Sequence, residues 1–154
     1  MFGPVTLDLR INAWAGQIQT NIGQLPATLT VLDISANGFV GTLPSEIGNL
    51  VALTDLKIAR SDQAVVRDGS CPAPLICIDG TIPTELGLLV NLRTLWLFEH
   101  SLTGFLPSEL GNLAQLTESL VYTNSMRGDV PAAFGSLQNL GELSYQFFVL
   151  KFEW

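Results

Sequence analysis

Apolar residues recur along the chain in pairs spaced two residues apart, and a polar residue follows each pair. The first apolar column contains Leu7, Leu32, Leu56, Leu95 and Leu143, the second contains Leu9, Ile34, Ile58, Leu97 and Val121, and the polar column contains Asn12, Asn37, Ser61, His100 and Asn124. Two apolar residues at this spacing point to one side of a β-strand, and the residues beside them point to the other side. Each pair therefore predicts a short strand with one buried face.

A glycine and proline motif follows each predicted strand, with the pattern Gly-x-[Ile/Leu/Val]-Pro-x-x-[apolar]-Gly. It occupies residues 41–48, 80–87, 104–111 and 128–135, and residues 16–23 differ only by Gln19 in place of the proline. Glycine permits a tight turn, and proline presets the backbone for a short helical turn. Consecutive residues of the polar column are 24 or 25 positions apart, except for one longer step. The chain is therefore built from an internal repeat.

The combined pattern L-x-x-L-x-L-x-x-N-x-L-x-G-x-[IL]-P-x-x-[LI]-G-x-L resembles the plant-type leucine-rich repeat. This repeat is found in ectodomains of receptor-like kinases and receptor-like proteins, and in polygalacturonase-inhibiting proteins. Residues 29–50 match it at every apolar, Asn, Gly and Pro position, and the resemblance extends over roughly residues 5–145. It implies an α/β repeat solenoid: a right-handed leucine-rich-repeat superhelix with about six short parallel strands on its concave face and short helical turns or loops on its convex face. Because no single repeat can bury its own apolar face, we expect residues 1–154 to form one stacked domain.

Two segments depart from the repeat. Residues 62–79 form an insertion that contains both cysteines of the chain, Cys71 and Cys77. A disulfide between them would close a small loop and stabilise it by about 2 kcal/mol in an oxidising compartment, and two unlinked thiols are the alternative. Residues 146–154 are aromatic and lose the repeat pattern. This degenerate end favours a fragment of a longer protein over an aromatic capping strand.

Composition excludes several classes of function. Hydrophobic residues make up 47% of the chain and charged residues 14%, which excludes a disordered protein. The formal net charge of -7 argues against binding to nucleic acid or to an anionic membrane. One histidine and two cysteines do not supply a structural zinc site, and no cofactor-binding motif is present. No apolar run is long enough to span a membrane, although a full-length protein could carry such a span elsewhere, and the first residues lack the features of a signal peptide.

The strand residues that point away from the leucine core are the candidates for partner binding. They comprise Asp33 and Lys57 in a charged first half, and Arg93, Trp96, Phe98, Glu99 and Tyr122 in a second half. Large aromatic residues directed to solvent are typical of interface anchors. The alternative is that the inserted loop folds over them as a small private core. His100 stands in the polar column, where it is expected to replace an asparagine as a hydrogen-bonding residue.

No catalytic constellation is visible in the sequence. The Arg-Gly-Asp tripeptide at residues 127–129 is not taken as a binding motif, because its glycine is the turn glycine of the repeat and is explained by that role. The resemblance implies a non-catalytic module of a receptor-like ectodomain that recognises a protein or peptide, located outside the cell or at its surface. The alternative is a secreted inhibitor of a cell-wall hydrolase, similar to polygalacturonase-inhibiting proteins. An ice-binding surface is disfavoured because the exposed columns vary from repeat to repeat.

Overall fold

The computed structural model describes residues 5–60 and 77–146 and the backbone of residues 148–151. Within these ranges the chain forms the strands β1 (Val5–Asp8), β2 (Ala15–Gln17), β3 (Leu29–Asp33), β4 (Gly38–Thr42), β5 (Asp55–Lys57), β6 (Ile78–Asp79), β7 (Thr94–Trp96), β8 (Glu118–Leu120), β9 (Glu142–Tyr145) and β10 (Phe148–Lys151). Between them lie the 3-10 helices η1 (Thr20–Gln24), η2 (Ser45–Asn49), η3 (Thr84–Leu88), η4 (Ser108–Asn112) and η5 (Ala132–Ser136).

The larger sheet contains one strand from each repeat. β1, β3, β5, β7, β8 and β9 lie side by side in parallel, which confirms the expected six-stranded parallel arrangement. β10 pairs with β9 in the antiparallel direction, so the parallel repeat pattern ends at β9. A second, smaller sheet contains β2, β4 and β6, also in parallel. The short helices of successive repeats stack next to one another, as a repeat solenoid requires.

The register of the larger sheet aligns the predicted core columns. Residues opposite one another in the middle of the six parallel strands are Leu7, Leu32, Leu56, Leu95, Ser119 and Leu143. All of them are buried except Leu7, which lies in the first strand and is partly exposed. Ser119 is the one polar residue in this row. Its hydroxyl lies at a position that is leucine in the other strands, and it has no hydrogen-bond partner.

Two asparagine side chains link their repeats to the preceding ones. The Nδ2 atom of Asn37 donates to the carbonyl oxygen of Leu9 in the preceding repeat and to that of Ile34 in its own, both at 2.9 Å. Asn124 repeats this arrangement and donates to the carbonyl oxygen of Leu97 at 2.8 Å. These bonds satisfy backbone acceptors at a turn where no strand partner is available. The predicted role of the polar column is therefore confirmed at these two positions.

Turn geometry explains the glycine and proline columns. Each of η2 to η5 is preceded by a proline in extended conformation, at Pro44, Pro83, Pro107 and Pro131. Gly104 has φ +77°, a left-handed conformation that disfavours residues with a Cβ. Gly87 is needed for close packing, because a Cβ there would lie 2.5 Å from the carbonyl oxygen of Glu109 in the next repeat.

The inserted segment falls mostly outside the described residues, which resume at Cys77. Cys77 is buried and disulfide-bonded, and its sulfur lies 3.1 Å from Nη1 of Arg60. Cys71 lies outside the described residues, so the Cys71–Cys77 pairing stays a prediction. Ile78 is fully buried in the leucine core, and the repeat is thus back in register at the end of the insertion.

Candidate binding face

The candidate binding face is the side of the six parallel strands opposite the leucine core, called the strand face below. Its residues form columns across the sheet, because equivalent positions of neighbouring strands lie opposite one another. The column at the carboxyl ends of the strands contains Asp8, Asp33, Lys57, Trp96, Leu120 and Ser144. A neighbouring column contains Thr94, Glu118 and Glu142. Neighbouring parallel strands lie about 4.8 Å apart, so adjacent members of a column are within contact distance.

Trp96, Phe98 and Tyr122 form an aromatic cluster on the strand face. The rings of Phe98 and Tyr122 are stacked, with their centroids 4.8 Å apart and an interplanar angle of 5°. The rings of Trp96 and Phe98 are tilted by 51° with centroids 5.9 Å apart. Aromatic pairs at such distances add about 0.5–1.5 kcal/mol beyond the area that they bury. Phe98 thus contacts both of the other predicted anchors.

The exposure of the aromatic cluster differs from the sequence expectation at one residue. Trp96 and Tyr122 are partly exposed, as expected for residues that can contact a partner. Phe98 is only 9% exposed, so the prediction that it is an exposed anchor is wrong. Phe98 lies between the other two rings, where it supports them instead of meeting solvent. Whether the inserted loop also covers this cluster concerns residues outside the described ranges, and that alternative stays open.

Charged side chains from the two strands next to β7 contact the Trp96 ring. The Nζ atom of Lys57 lies 4.4 Å from the ring centroid, a cation–π geometry, and 3.9 Å from a carboxylate oxygen of Asp55. The indole Nε1 of Trp96 donates a hydrogen bond of 2.6 Å to Oε2 of Glu118. These contacts fix the orientation of a large, partly exposed ring. Such a pre-organised ring loses little freedom on binding a ligand.

The charged half of the strand face is internally paired. Arg10 forms an ion pair of 2.7 Å with Asp8 and lies 3.5 Å from Asp33. Hydrogen bonds from Arg10 lower the pKa of the Asp8 carboxyl. Asp33 is 5% exposed and accepts a hydrogen bond from the backbone of Ser35. The expectation that Asp33 is exposed is therefore wrong, because its carboxylate lies against Arg10 and Ser35, and its role in partner binding stays a prediction.

A shallow cavity of about 120 Å³ joins the charged half to the aromatic cluster. It is lined by Arg10, Ile11, Asp33, Ser35, Ala36, Ala59, Trp96 and Phe98. Both apolar and polar side chains reach this cavity. It offers a place for one ligand side chain beside the partly exposed face of Trp96.

The remaining predicted residues lie at the ends of β7. Arg93 precedes the strand and is exposed, while its carbonyl oxygen accepts hydrogen bonds from the backbone of Thr117 and Glu118. Glu99 follows the strand with φ 62° and is partly exposed. Of these two residues, Glu99 lies near enough to Tyr122 for its charge to raise the pKa of that hydroxyl. Sequence analysis missed Glu118 and Glu142, although the strand alternation that selects Trp96 also selects them.

The charge near Tyr122 is negative. Burial raises the pKa of the Tyr122 hydroxyl, and the carboxylates of Glu99 and Glu142 raise it further. Both effects disfavour the ionised phenolate, so Tyr122 is a neutral hydrogen-bonding group at pH 7. The second half of the strand face thus combines aromatic surface with acidic surroundings.

His100 is structural. Its Nε2 lies 2.8 Å from the carbonyl oxygen of Ile58, the contact that asparagine makes in other repeats. Burial is the main cause that lowers the pKa of His100 to about 4; the Ile58 hydrogen bond opposes the shift and the charge of Arg60 adds to it. The ring is therefore neutral at pH 7, with Nε2 as the donor to the carbonyl.

The described part of the chain contains neither a metal site nor a membrane-spanning helix. Across residues 5–60 and 77–146, no group of three or more His, Cys, Asp or Glu side chains has the arrangement of a metal site. None of the helices in the described chain has the length and apolar character needed to cross a bilayer.

Comparison with known proteins supports the repeat assignment. Residues 28–50 and 91–113 match the Leucine Rich Repeat family. Over 52 residues the chain is 40% identical to the LRR receptor-like serine/threonine-protein kinase EFR of Arabidopsis thaliana. The matched length is 34% of this chain and 5% of that protein. That match lies in the repeats and does not include a kinase domain.

Solved structures extend the similarity over most of the chain. One similar structure is the LRR ectodomain of the plant membrane receptor kinase GASSHO1/SCHENGEN3 from Arabidopsis thaliana, in complex with CASPARIAN STRIP INTEGRITY FACTOR 2. Its sequence identity to this chain is 30% and the TM-score is 0.77. The match covers 92% of this chain and 16% of that chain. The plant peptide hormone receptor RGFR1 in complex with RGF2 has the same identity and TM-score, over 92% of this chain and 20% of that one. The chain thus spans no more than a fifth of these relatives. Its repeats are leucine-rich repeats, and the chain is similar in sequence and fold to the ectodomains of plant receptor kinases.

Proposed function

We propose that this chain is a non-catalytic recognition module that binds a peptide or protein ligand on its strand face. The observation that carries the proposal is the aromatic cluster. Trp96 and Tyr122 are partly exposed on the side of the sheet opposite the leucine core, and buried Phe98 supports both rings. Clustered aromatic side chains held in fixed orientations are typical of the centres of binding interfaces.

The similar structures support this assignment. RGFR1 is a peptide hormone receptor and is solved in complex with RGF2. We therefore propose that the present chain acts outside the cell or at the cell surface, as part of a receptor-like protein. The inhibitor alternative uses the same face with a different partner, a folded cell-wall hydrolase in place of a short peptide.

The geometry of the described residues supports a binding role over a catalytic one. His100, its single histidine, is buried and hydrogen-bonded to Ile58. The carboxylates of Asp8 and Asp33 lie against Arg10. General acid–base catalysis needs a titrating group within reach of a substrate, whereas these groups serve contacts within the fold. We propose that the chain has no enzymatic activity.

The proposal is tested by selecting linear peptides from a library on the purified chain and measuring their affinity for substituted variants. Trp96→Ala removes an aromatic anchor, and we expect a loss of roughly 30-fold, equivalent to about 2 kcal/mol. Phe105→Ala is the matched control, because Phe105 is 71% exposed and lies beside Gly128, outside the strand face. The melting temperature of each variant verifies that it is folded.

Equal affinity of the wild type and a folded Trp96→Ala variant would reject the strand face as the binding surface. An equal loss in Phe105→Ala would show that the selected peptides bind elsewhere. Inhibition of a cell-wall polygalacturonase by the wild type, abolished by Trp96→Ala, would instead favour the inhibitor alternative.

A further inference from the structure

We infer that the N-terminal end of the solenoid is a docking surface for a further leucine-rich repeat, stacked in the same direction as the repeats described above. This surface, called the open end below, is the core side of the first repeat. It comprises the side chains of Leu7, Leu9, Trp14, Ile22 and Leu25, all of them partly or largely exposed. The docking of a repeat at this end is separate from the binding role of the strand face.

The open end exposes positions that the inner repeats bury completely. Leu7 and Ile22 are partly exposed, whereas their equivalents one repeat later, Leu32 and Ile47, are 0% exposed. Trp14 is 52% exposed. A cavity of about 150 Å³ opens between the first two repeats and is lined by Leu7, Trp14, Ile22 and Leu32, among others. Covering this apolar surface would stabilise the stack.

Hydrogen bonding at the open end is also incomplete among the described residues. β1 and β2 lie at the edges of their sheets, and an edge strand has one row of backbone groups without a strand partner. Asn37 bonds to Leu9 in the preceding repeat as well as to two carbonyl groups of its own repeat. Asn12, its equivalent, bonds to Leu9 and Arg10, both in its own repeat. A preceding repeat would supply the strand partners and the further carbonyl acceptor.

The helical side of the open end matches the glycine of a preceding repeat. Gly23 and Gly48 pack so closely on the next repeat that a Cβ would lie 2.5 Å from the carbonyl oxygens of Glu46 and Glu85, respectively. Asn21 stands at the position of Glu46 in the first repeat and is exposed. The helix η1 therefore presents outward the same kind of surface that η2 presents to Gly23. This match identifies the occupant as a leucine-rich repeat.

A second copy of the chain does not offer the matching surface at its C-terminal end. β10 pairs with β9 in the antiparallel direction and occupies the edge at which a next parallel strand would lie. The matching surface is instead that of a repeat placed ahead of β1 in a longer polypeptide. The similar receptor ectodomains are long enough to contain such repeats, because this chain spans 16% and 20% of them.

The experiment adds a repeat to the open end of the intact chain. A copy of residues 26–50 is joined directly in front of Met1. The last leucine of the copy then precedes Leu7 by seven residues, which is the spacing between Leu25 and Leu32. We expect a single unfolding transition with a melting temperature higher by at least about 5 °C. Hydrogen exchange of the β1 amides should become roughly tenfold slower.

The matched control has the same length and lacks an apolar face on the added repeat. It carries Leu32→Asp and Ile47→Asp in the copy alone, and it should show neither the higher melting temperature nor the slower exchange. A second extension uses a copy of residues 90–113, which also ends on a leucine. This second sequence covers the case in which the first copy fails to fold for reasons of its own.

The outcomes decide the occupant of the open end. A gain with either extension that the control lacks supports a docked repeat. Absence of a gain with both extensions overturns the inference. Light scattering on the unextended chain tests the alternative occupant, since a dimer that Trp14→Asp converts to a monomer would assign the open end to a second copy and overturn the inference as well. Peptide binding through Trp96 is a property of the strand face, so neither result bears on the proposed function.

Discussion

The Nε2 atom of His100 lies 2.8 Å from the carbonyl oxygen of Ile58 in the preceding repeat, where Asn124 makes the equivalent bond to Leu97 one repeat later. An imidazole thus performs the linking role of an asparagine amide. The substitution differs in two respects. The Nδ1 atom of His100 has no hydrogen-bond partner, and an imidazole titrates whereas an amide does not.

Acidification should destabilise the protein through His100. Its pKa is lowered to about 4 in the folded chain, against about 6.5 when unfolded. The unfolded state therefore binds more protons between these values, and stability falls as the pH decreases from about 6.5 to 4. We expect a loss on the order of 2–3 kcal/mol between pH 7.5 and 4.5 from this residue, measured by urea unfolding.

His100→Asn is the control for this effect. Asparagine retains a donor to the Ile58 carbonyl and does not titrate, so this variant should lose less stability over the same pH range. Carboxylates contribute equally to both proteins, and the difference between the two curves isolates the histidine. Parallel curves would mean that His100 titrates normally in the folded chain.

Ser119→Ala should stabilise the chain. The Ser119 hydroxyl is fully buried and has no hydrogen-bond partner, and leaving such a group unsatisfied costs about 1–3 kcal/mol. Removal of the oxygen should therefore raise the free energy of unfolding by roughly 1 kcal/mol. Ser136→Ala should lower the free energy of unfolding, because the Ser136 hydroxyl donates to the carbonyl oxygens of Gly111 and Ala133.

Chemical denaturation of both serine variants checks this prediction. We expect a higher unfolding midpoint for Ser119→Ala and a lower one for Ser136→Ala, without a change in the slope of the transition. A destabilised Ser119→Ala variant would mean that the hydroxyl has a partner in solution, such as a buried water molecule.

Ala36→Gly should also stabilise the chain. The residue before the polar column repeatedly adopts a left-handed conformation, at Ile11, Ala36, Glu99 and Thr123 with φ between 53° and 62°. Glycine adopts this conformation at less cost than alanine. We expect a gain of about 0.5–1 kcal/mol, and a loss of similar size for Ala114→Gly, which lies outside this set of positions. Thermal unfolding of both variants measures the difference.

The predicted Cys71–Cys77 disulfide can be tested by mass. Protein from an oxidising compartment should be lighter by two hydrogens than the same protein after reduction. Reduction should lower stability by about 2 kcal/mol, while the repeats should remain folded because both cysteines lie outside the leucine columns. Alkylation of two thiols without prior reduction would reject the disulfide.

Local chemistry accounts for the parts of the fold that could be read from the sequence alone. The two-residue alternation of a strand determines that Leu95 is buried while Trp96 points to the other side. Gly104 has a left-handed backbone and Pro107 precedes η4, because each residue type restricts its own dihedral angles. Repetition of these local rules at a constant period predicts the stacked parallel strands.

The alternation of a strand does not predict which residues of the strand face are buried, and side-chain contacts determine this. Phe98 is buried and contacts the rings of Trp96 and Tyr122, and the Asp33 carboxylate contacts Arg10 and Ser35. The side of the sheet that each residue faces depends on the backbone of its own strand, and the amino-acid pattern therefore predicts it. The accessibility of each residue on that face follows from the folded structure alone, because lateral packing depends on side chains from strands more than twenty residues apart in the chain.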